Sequence, residues 1–373
     1  MIEIQEVKTR RQRKQFVEFP LDLYKNNPYF VPPLYSDEMA IFKKTYAYYQ
    51  QAEAVYYLAY DGKKVVGRIS GILQHAANDK WGQKRVRFTR FDSIDDAEVA
   101  HALFNAVEEW ARSKGMTEVV GPLGFSDLER EGLLIEGFDY LSTFEEQYNY
   151  SYYQRLIEDC GYTKDVDWLE SRLYRLNDPD DRIKRMTDML MKRYNLHFDK
   201  SRNINEFIKL YADQFFALVD DAYSKLYGTV PMIEDTKKAL ISNFKLMVDV
   251  KFVSVILDEN EKVVAIGFAL PSISEAVQKS GGRLTIPTLF KLLKAIKHPK
   301  RLDLGLIGVA EQYKNRGIAL ALIYAIGKRM EEFNVEYTET NLTLEDNHAI
   351  QNALKSFDAT RNHKRRRSFV KQL

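Results

Sequence analysis

Two distant stretches of the chain follow one plan. Residues 55–73 (VYYLAYDGKKVVGRISGIL) and 252–270 (FVSVILDENEKVVAIGFAL) each join two β-rich runs through a polar turn. In each, the second run carries Lys-Val-Val, at Lys64, Val65 and Val66 and again at Lys262, Val263 and Val264. Asp61-Gly62 is a strong hairpin signal, because a tight turn between strands needs residues that tolerate positive φ. A period of about 200 residues is far longer than the 20 to 50 residues of a solenoid, so the repeat points to duplicated domains.

The elements that follow each hairpin keep the same order. In the first half a strand over 85–91 leads into a helix over 97–114, ended by Gly115, and a strand over 117–120. In the second half a strand over 302–309 leads into a helix over 318–333 and a strand over 335–344. Each half closes on a helix, over 152–160 and 349–357, and a further β-like run. The expected class is therefore α/β with mixed sheets, a twisted central sheet flanked by helices in each of two domains. A chain of 373 residues suits two domains of roughly 150 to 200 residues. The expected boundaries are 1–176, a linker at 177–196 and 197–373. The break falls at the turn-rich Asn177, Asp178, Pro179, Asp180 and Asp181, and a helix over 182–194 follows.

Composition narrows the function. A formal charge of +2 argues against nucleic acid as a partner. Cys160 is the single cysteine, and no Cys/His spacing suggests a metal site. With no apolar leader and no run of 18 apolar residues, the expectation is a cytoplasmic protein without a membrane partner.

The chemistry-bearing segment is LDLGLIGVAEQYKNRGIALAL, residues 302–322, an apolar strand running into a glycine turn and then a helix. Lys314, Asn315, Arg316, Gly317, Ile318 and Ala319 put small residues where backbone must approach an anion, with cations beside them. The first amides of the helix supply donors and the positive end of its dipole, a setting for a pyrophosphate. This segment resembles the acyl-CoA-binding signature [Q/R]-x-x-G-x-[G/A] of the GNAT superfamily of N-acetyltransferases, with Lys314 in the first place and Ala319 in the last. The hairpin, β-α-β and closing helix are likewise the order of a GNAT domain.

The resemblance implies acetyl-CoA or another acyl-CoA as cofactor, held by residues 314–319, by Asn347, and along the strand by Ile307, Gly308 and Val309. It implies transfer of the acyl group to a small-molecule or peptide amine, with Gly308 or Val309 polarising the thioester carbonyl. Glu339 is the candidate base, sharing a strand face with Tyr337 and Asn341; Glu311 is a weaker one. Leu354 stands where the family has its acidic tyrosine, which leaves Tyr337 and Tyr313 as candidate acids. The first copy carries Asp92, Asp95 and Asp96 in the corresponding turn, where carboxylates repel phosphate. It keeps instead a closing segment, with Asn149, Tyr153, Leu156, Gly161 and Tyr162, like the family's N-x-x-A-x-x-L-Y-x-x-x-G-F.

Other features have alternative readings. The run His363, Lys364, Arg365, Arg366 and Arg367 reads as a contact for nucleic acid or phosphate, or, the favoured reading, as a strand edge guarded by charge. The segment 287–296, with Leu289, Phe290, Leu293 and Ile296 on one face, reads as a substrate lid or a packed interface helix. Two rival functions stand beside acyl transfer: a CoA-binding scaffold, and an aminoacyl-tRNA-dependent transferase of tandem GNAT fold.

Overall fold

Strands β1 (Ala52–Asp61) and β2 (Lys64–Gln74) form the first hairpin, antiparallel from Ala52↔Gln74 to Asp61↔Lys64, with Gly62 at φ 58° in its turn. The structure is a computed structural model that describes residues 1–176, 178, 181–355, 357–358 and 361–373; Asn177, Pro179 and Asp180 of the expected break lie outside these. The described chain divides into two units that are not contiguous in sequence. One holds Met1–Trp168, Ser274–Leu289 and Lys364–Leu373, the other Leu169–Ile273 and Phe290–His363.

In the first unit β3 (Arg85–Ser93) adds antiparallel to β2. Helix α1 (Ala97–Ser113) then carries the chain over to β4 (Glu118–Gly121), parallel to β3. The C-terminal strand Arg361–Gln372 runs antiparallel to β4, from Phe369↔Gly121 to Gln372↔Glu118. Asp96 caps α1 by accepting from the amide of Glu98. The apolar residues Val99, Ala100, Leu103, Phe104, Val107 and Ala111 recur at helical spacing and are all buried. Helix and sheet touch where Gly67 lies in β2, and a Cβ there would stand 2.8 Å from Leu103. Phe88, Phe91 and Tyr162 surround Phe104 at ring-centroid distances of 5.0, 4.8 and 4.8 Å. Helix α2 (Tyr152–Asp159) adds Tyr153, Leu156 and Ile157 to this core.

The second unit repeats the pairing senses. Helices α3 (Arg182–Arg193) and α4 (Ile204–Tyr223) precede the hairpin of β5 (Val253–Leu257) and β6 (Val263–Pro271). Its turn is built by Asp258, whose carboxylate accepts from the amides of Asn260 and Lys262, with Glu261 at φ 60°. After helix α5 (Ile286–Lys297), whose first turn belongs to the first unit, strand β7 (Arg301–Val309) pairs antiparallel with β6, and helix α6 (Ile318–Glu332) leads to β8 (Tyr337–Thr340), parallel to β7. Ile318, Ala321, Leu322, Ile323, Ile326 and Met330 of α6 are buried. Phe207, Phe215 and Phe216 of α4 pack with Phe268 and Leu306. Strand β8 is shorter than the expected 335–344. Asn341 turns its side-chain oxygen onto the amide of Leu342, which diverts the backbone before the short strand Thr343–Leu344.

Candidate functional site

The turn between β7 and α6 takes the conformation its residues favour. A 3-10 turn, Glu311–Tyr313, is followed by Asn315 at φ 60° and Gly317 at φ 81°, the residue that immediately precedes α6. Asn and Gly are the residues that enter left-handed backbone at least cost. By helix geometry the first amides of α6, from Ile318 onward, have no intrahelical acceptor, and the helix dipole is positive there. Lys314 and Arg316 are exposed at the rim. The Lys314 ammonium pairs with Glu311 and holds that carboxyl below its ordinary range, and the Arg316 guanidinium lies 5.4 and 5.7 Å from the rings of Tyr194 and Tyr313. An exposed pair is weak enough for Lys314 to exchange Glu311 for a phosphate. A Cβ on Gly317 would come 3.2 Å from Leu190 of α3, so the turn has little room for a side chain.

Upstream, β7 and β8 part. They pair only from Arg301↔Tyr337 to Leu304↔Thr340, and residues 305–309 continue beyond the end of β8. The register with β6 slips at the same place, where Gly305 is skipped between Phe268↔Leu306 and Ala269↔Leu304. Only glycine fits there, because a Cβ on Gly305 would fall 2.1 Å from the Phe268 ring. Ala310 donates to the carbonyl of Val264 at 2.8 Å. Along an antiparallel ladder, Gly308 therefore turns its amide to β6, while Ile307 and Val309 turn theirs to the opposite edge. Tyr223 already donates to the Ile307 carbonyl on that edge (3.0 Å). Of the two amides expected to polarise a carbonyl, Val309 is the one with its N–H on the parted edge.

Glu339 sits in β8 opposite Asp303 and is buried. Its Oε1 lies 2.9 Å from Nε2 of His363, and its Oε2 accepts from Nε of Arg172 at 3.3 Å. The Arg172 guanidinium in turn stacks 4.3 Å from the Tyr337 ring. Burial pushes the Tyr337 phenol up to about 12, although Arg172 and Arg301 oppose the shift. Sequence reasoning named Glu339 and Tyr337 but missed Arg172 and treated His363 only as one cation of a basic run. Asn347 stands before the short helix His348–Leu354 and accepts from the amide of Ile350 through its side chain (3.4 Å). Leu354 is buried in the core with Ile326 and Met330. Tyr313 packs edge-on against Tyr194, and Glu311 is spent on Lys314.

No family model matches the chain. It is 28% identical over 364 residues to the bacterial ceramide synthase of Caulobacter vibrioides (strain NA1000 / CB15N), covering 95% of this chain and 93% of that protein. It is 27% identical over 372 residues to Protein YghO of Escherichia coli (strain K12), covering 96% and 93%. Among solved structures, it is similar to a tandem GNAT protein from the clavulanic acid biosynthesis pathway, with a TM-score of 0.55 at 11% identity over 100% of this chain and 98% of that one. The chain has a tandem GNAT fold.

The first GNAT unit fills its own strand-to-helix turn. Asp92 is buried in an ion pair with Arg68 (2.8 Å) and accepts from Tyr24 (3.0 Å). Tyr153 accepts from the amide of Ser93 (3.0 Å), and Tyr152 donates to the Ser93 carbonyl (2.7 Å). Asp95 pairs with Arg155, and Asp96 caps α1. Of the amides a phosphate would need, that of Ser93 is thus taken by Tyr153 and that of Glu98 by Asp96. In the basic run, the expectation of a strand edge guarded by charge is not met. Lys364 and Arg366 are buried, and Arg365 and Arg367 both reach Asp167 (3.3 and 2.8 Å). Opposite charge supplied from inside the unit allows this strand to lie in the interior, paired to β4 and to Leu133–Glu136.

The irregular segment after β4 holds a further polar constellation that sequence reasoning passed over. Glu129 accepts from Tyr46 (2.7 Å) and from the amide of Phe125 (2.9 Å). Glu131 is 5% exposed, and its Oε1 has no hydrogen-bond partner among the described residues. Burial, and then the charge of Asp127, push its carboxyl well above the usual range. The signal was the alternation Asp127, Glu129, Glu131 between Gly124 and Gly132.

Proposed function

We propose that the chain is an acyl-CoA-dependent N-acyltransferase whose acceptor is the amine of a long-chain lipid. The observation that carries this is the strand β7, which leaves β8 at a glycine bulge, presents the Val309 amide on its parted edge and ends in the cationic glycine turn. Residues 314–319 would hold the CoA pyrophosphate, with Lys314 and Arg316 as counter-charges and the first amides of α6 as donors. The Val309 amide would stabilise the oxyanion as the amine nitrogen attacks the thioester carbonyl. A C–N bond forms, the C–S bond breaks, the amine loses a proton and the CoA thiolate takes one.

The pair Glu339 and His363 is the proton acceptor best supported here. An imidazole 2.9 Å from a buried carboxylate is held in one orientation. The same imidazolium can return its proton to the thiolate. Tyr337 is a poor donor for that step, because a phenol pushed up to about 12 must give its proton to a thiolate whose acid titrates near roughly 8.5; bracing Arg172 is its better role. The lipid acceptor rests on the relative named bacterial ceramide synthase, which matches nearly the whole chain.

A test pairs thiol release with mass spectrometry of the product, using a series of acyl-CoA lengths and a long-chain amino alcohol. Amide formation with release of CoA is expected. Glu339→Gln should lower turnover by roughly 10² or more while CoA affinity stays nearly unchanged. CoA binding without thiol release from any acyl donor would favour the scaffold reading, whose support is the buried Leu354 in place of a tyrosine.

A further inference from the structure

We propose that helix α5 (Ile286–Lys297) is an interfacial docking helix that seats the protein on an anionic lipid bilayer. Large apolar side chains are seldom left uncovered in a row, yet here Leu284, Ile286, Leu289, Phe290 and Leu293 are 47, 73, 45, 69 and 54% exposed. On a helix turning about 100° per residue, Ile286, Leu289, Phe290, Leu293 and Ile296 fall within one arc of roughly 120°. Thr288, buried, and Leu292, half-buried, lie outside that arc, so the helix holds to the protein by another face. The expected packed interface helix therefore does not describe it, since its apolar stripe is the uncovered side.

Charge selects the occupant. Between Glu275 and Asp303 the chain has no carboxylate, and it carries Lys279, Lys291, Lys294, Lys297 and Lys300 besides Arg283 and Arg301, which pair with Glu18 and Glu336. On the same wheel Lys294 flanks the apolar stripe and Lys297 falls within its arc at the last turn, and both are exposed. An apolar stripe flanked by lysines is the composition of a helix lying in the headgroup plane, its apolar side chains among acyl chains and its cations on anionic headgroups. No helix among the described residues is long and apolar enough to cross a membrane, so this contact is peripheral. A second copy of the chain would bring the same lysines against each other, which disfavours self-association through this face. The inference stands apart from acyl transfer, although a lipid-soluble amine would be met at such a surface.

The full chain is floated with vesicles of phosphatidylcholine alone and of phosphatidylcholine with a quarter phosphatidylglycerol. Binding to the anionic vesicles is expected, weakening as salt rises. Phe290→Glu with Leu293→Glu, and separately Lys291→Glu, Lys294→Glu and Lys297→Glu together, should each lower the partition coefficient roughly tenfold or more. These side chains are exposed, so melting temperature and CoA binding should be unchanged, which separates loss of docking from loss of fold. A Phe290→Trp reporter should shift its emission to the blue and be quenched by lipids brominated on the acyl chain. The proposal is overturned if wild type does not float with anionic vesicles at low salt. It also fails if the glutamate variants float as well as wild type, if the emission of the Phe290→Trp reporter does not respond to vesicles, or if Phe290→Glu merely converts a dimer to a monomer.

Discussion

At the scale of single residues, backbone conformation and burial decide more than charge. Gly317 holds φ 81° with Leu190 close by, so Gly317→Ala should lose about 1–2 kcal/mol. On the acyl-CoA reading proposed above, the same change should weaken CoA binding, because strain at φ 81° and the contact with Leu190 favour another turn conformation, in which the first amides of α6 no longer converge on a phosphate. Denaturant melts and calorimetric titration check both, and a variant unchanged in each would remove this turn from the site. Glu131 makes a pH prediction. Its carboxyl is raised in the fold, so its contribution to stability is full below the ordinary pKa of roughly 4.3 and is lost as pH rises towards the folded value. Glu131→Gln removes that dependence, and its stability relative to wild type should improve steadily from pH 4 to pH 8. A constant difference across that range would mean that the carboxyl is ionised in the fold.

At the scale of elements, periodicity carries most of the information. In α1 the buried residues Val99, Leu103, Phe104 and Val107 recur at helical spacing, Asp96 caps its start, and Gly115 marks its end. Phe104 lies at the centre of three aromatic contacts, so Phe104→Ala should cost about 3–5 kcal/mol in the first unit. Thermal unfolding followed by far-ultraviolet dichroism measures this; a loss below about 1 kcal/mol would show that the site collapses to fill the gap. Helix α5 shows where periodicity stops. Its pattern reveals an apolar stripe, but whether that stripe meets protein or solvent depends on what the rest of the chain brings near it.

At the scale of the whole molecule, the chain shares its segments between units. The last ten residues, Lys364–Leu373, belong with the first unit, where Phe369 is fully buried and Arg367 pairs with Asp167. Ending the chain after His363 should therefore destabilise the N-terminal unit, although the deletion lies at the far end of the sequence. Limited proteolysis with mass spectrometry reads which unit is lost. Cleavage confined to residues beyond 196 would contradict this sharing of segments.

What the sequence determined by itself was local. Turn residues with positive φ, helical and alternating periodicity, and a glycine between cations follow from interactions within a few positions, and these revealed the two hairpins, the order β-α-β and the turn at Gly317. The tertiary structure alone decided which distant groups meet. His363 and Arg172 close on Glu339 from positions 24 and 167 residues away. The basic run goes inside because Asp167 and the loop after β4 neutralise it. Burial pushes the Glu131 carboxyl well above its ordinary range, although by residue type a glutamate is an ordinary surface residue. Burial and ion pairing depend on three-dimensional proximity, and a carboxylate has the same spacing in the sequence whether it faces water, an arginine or an apolar wall.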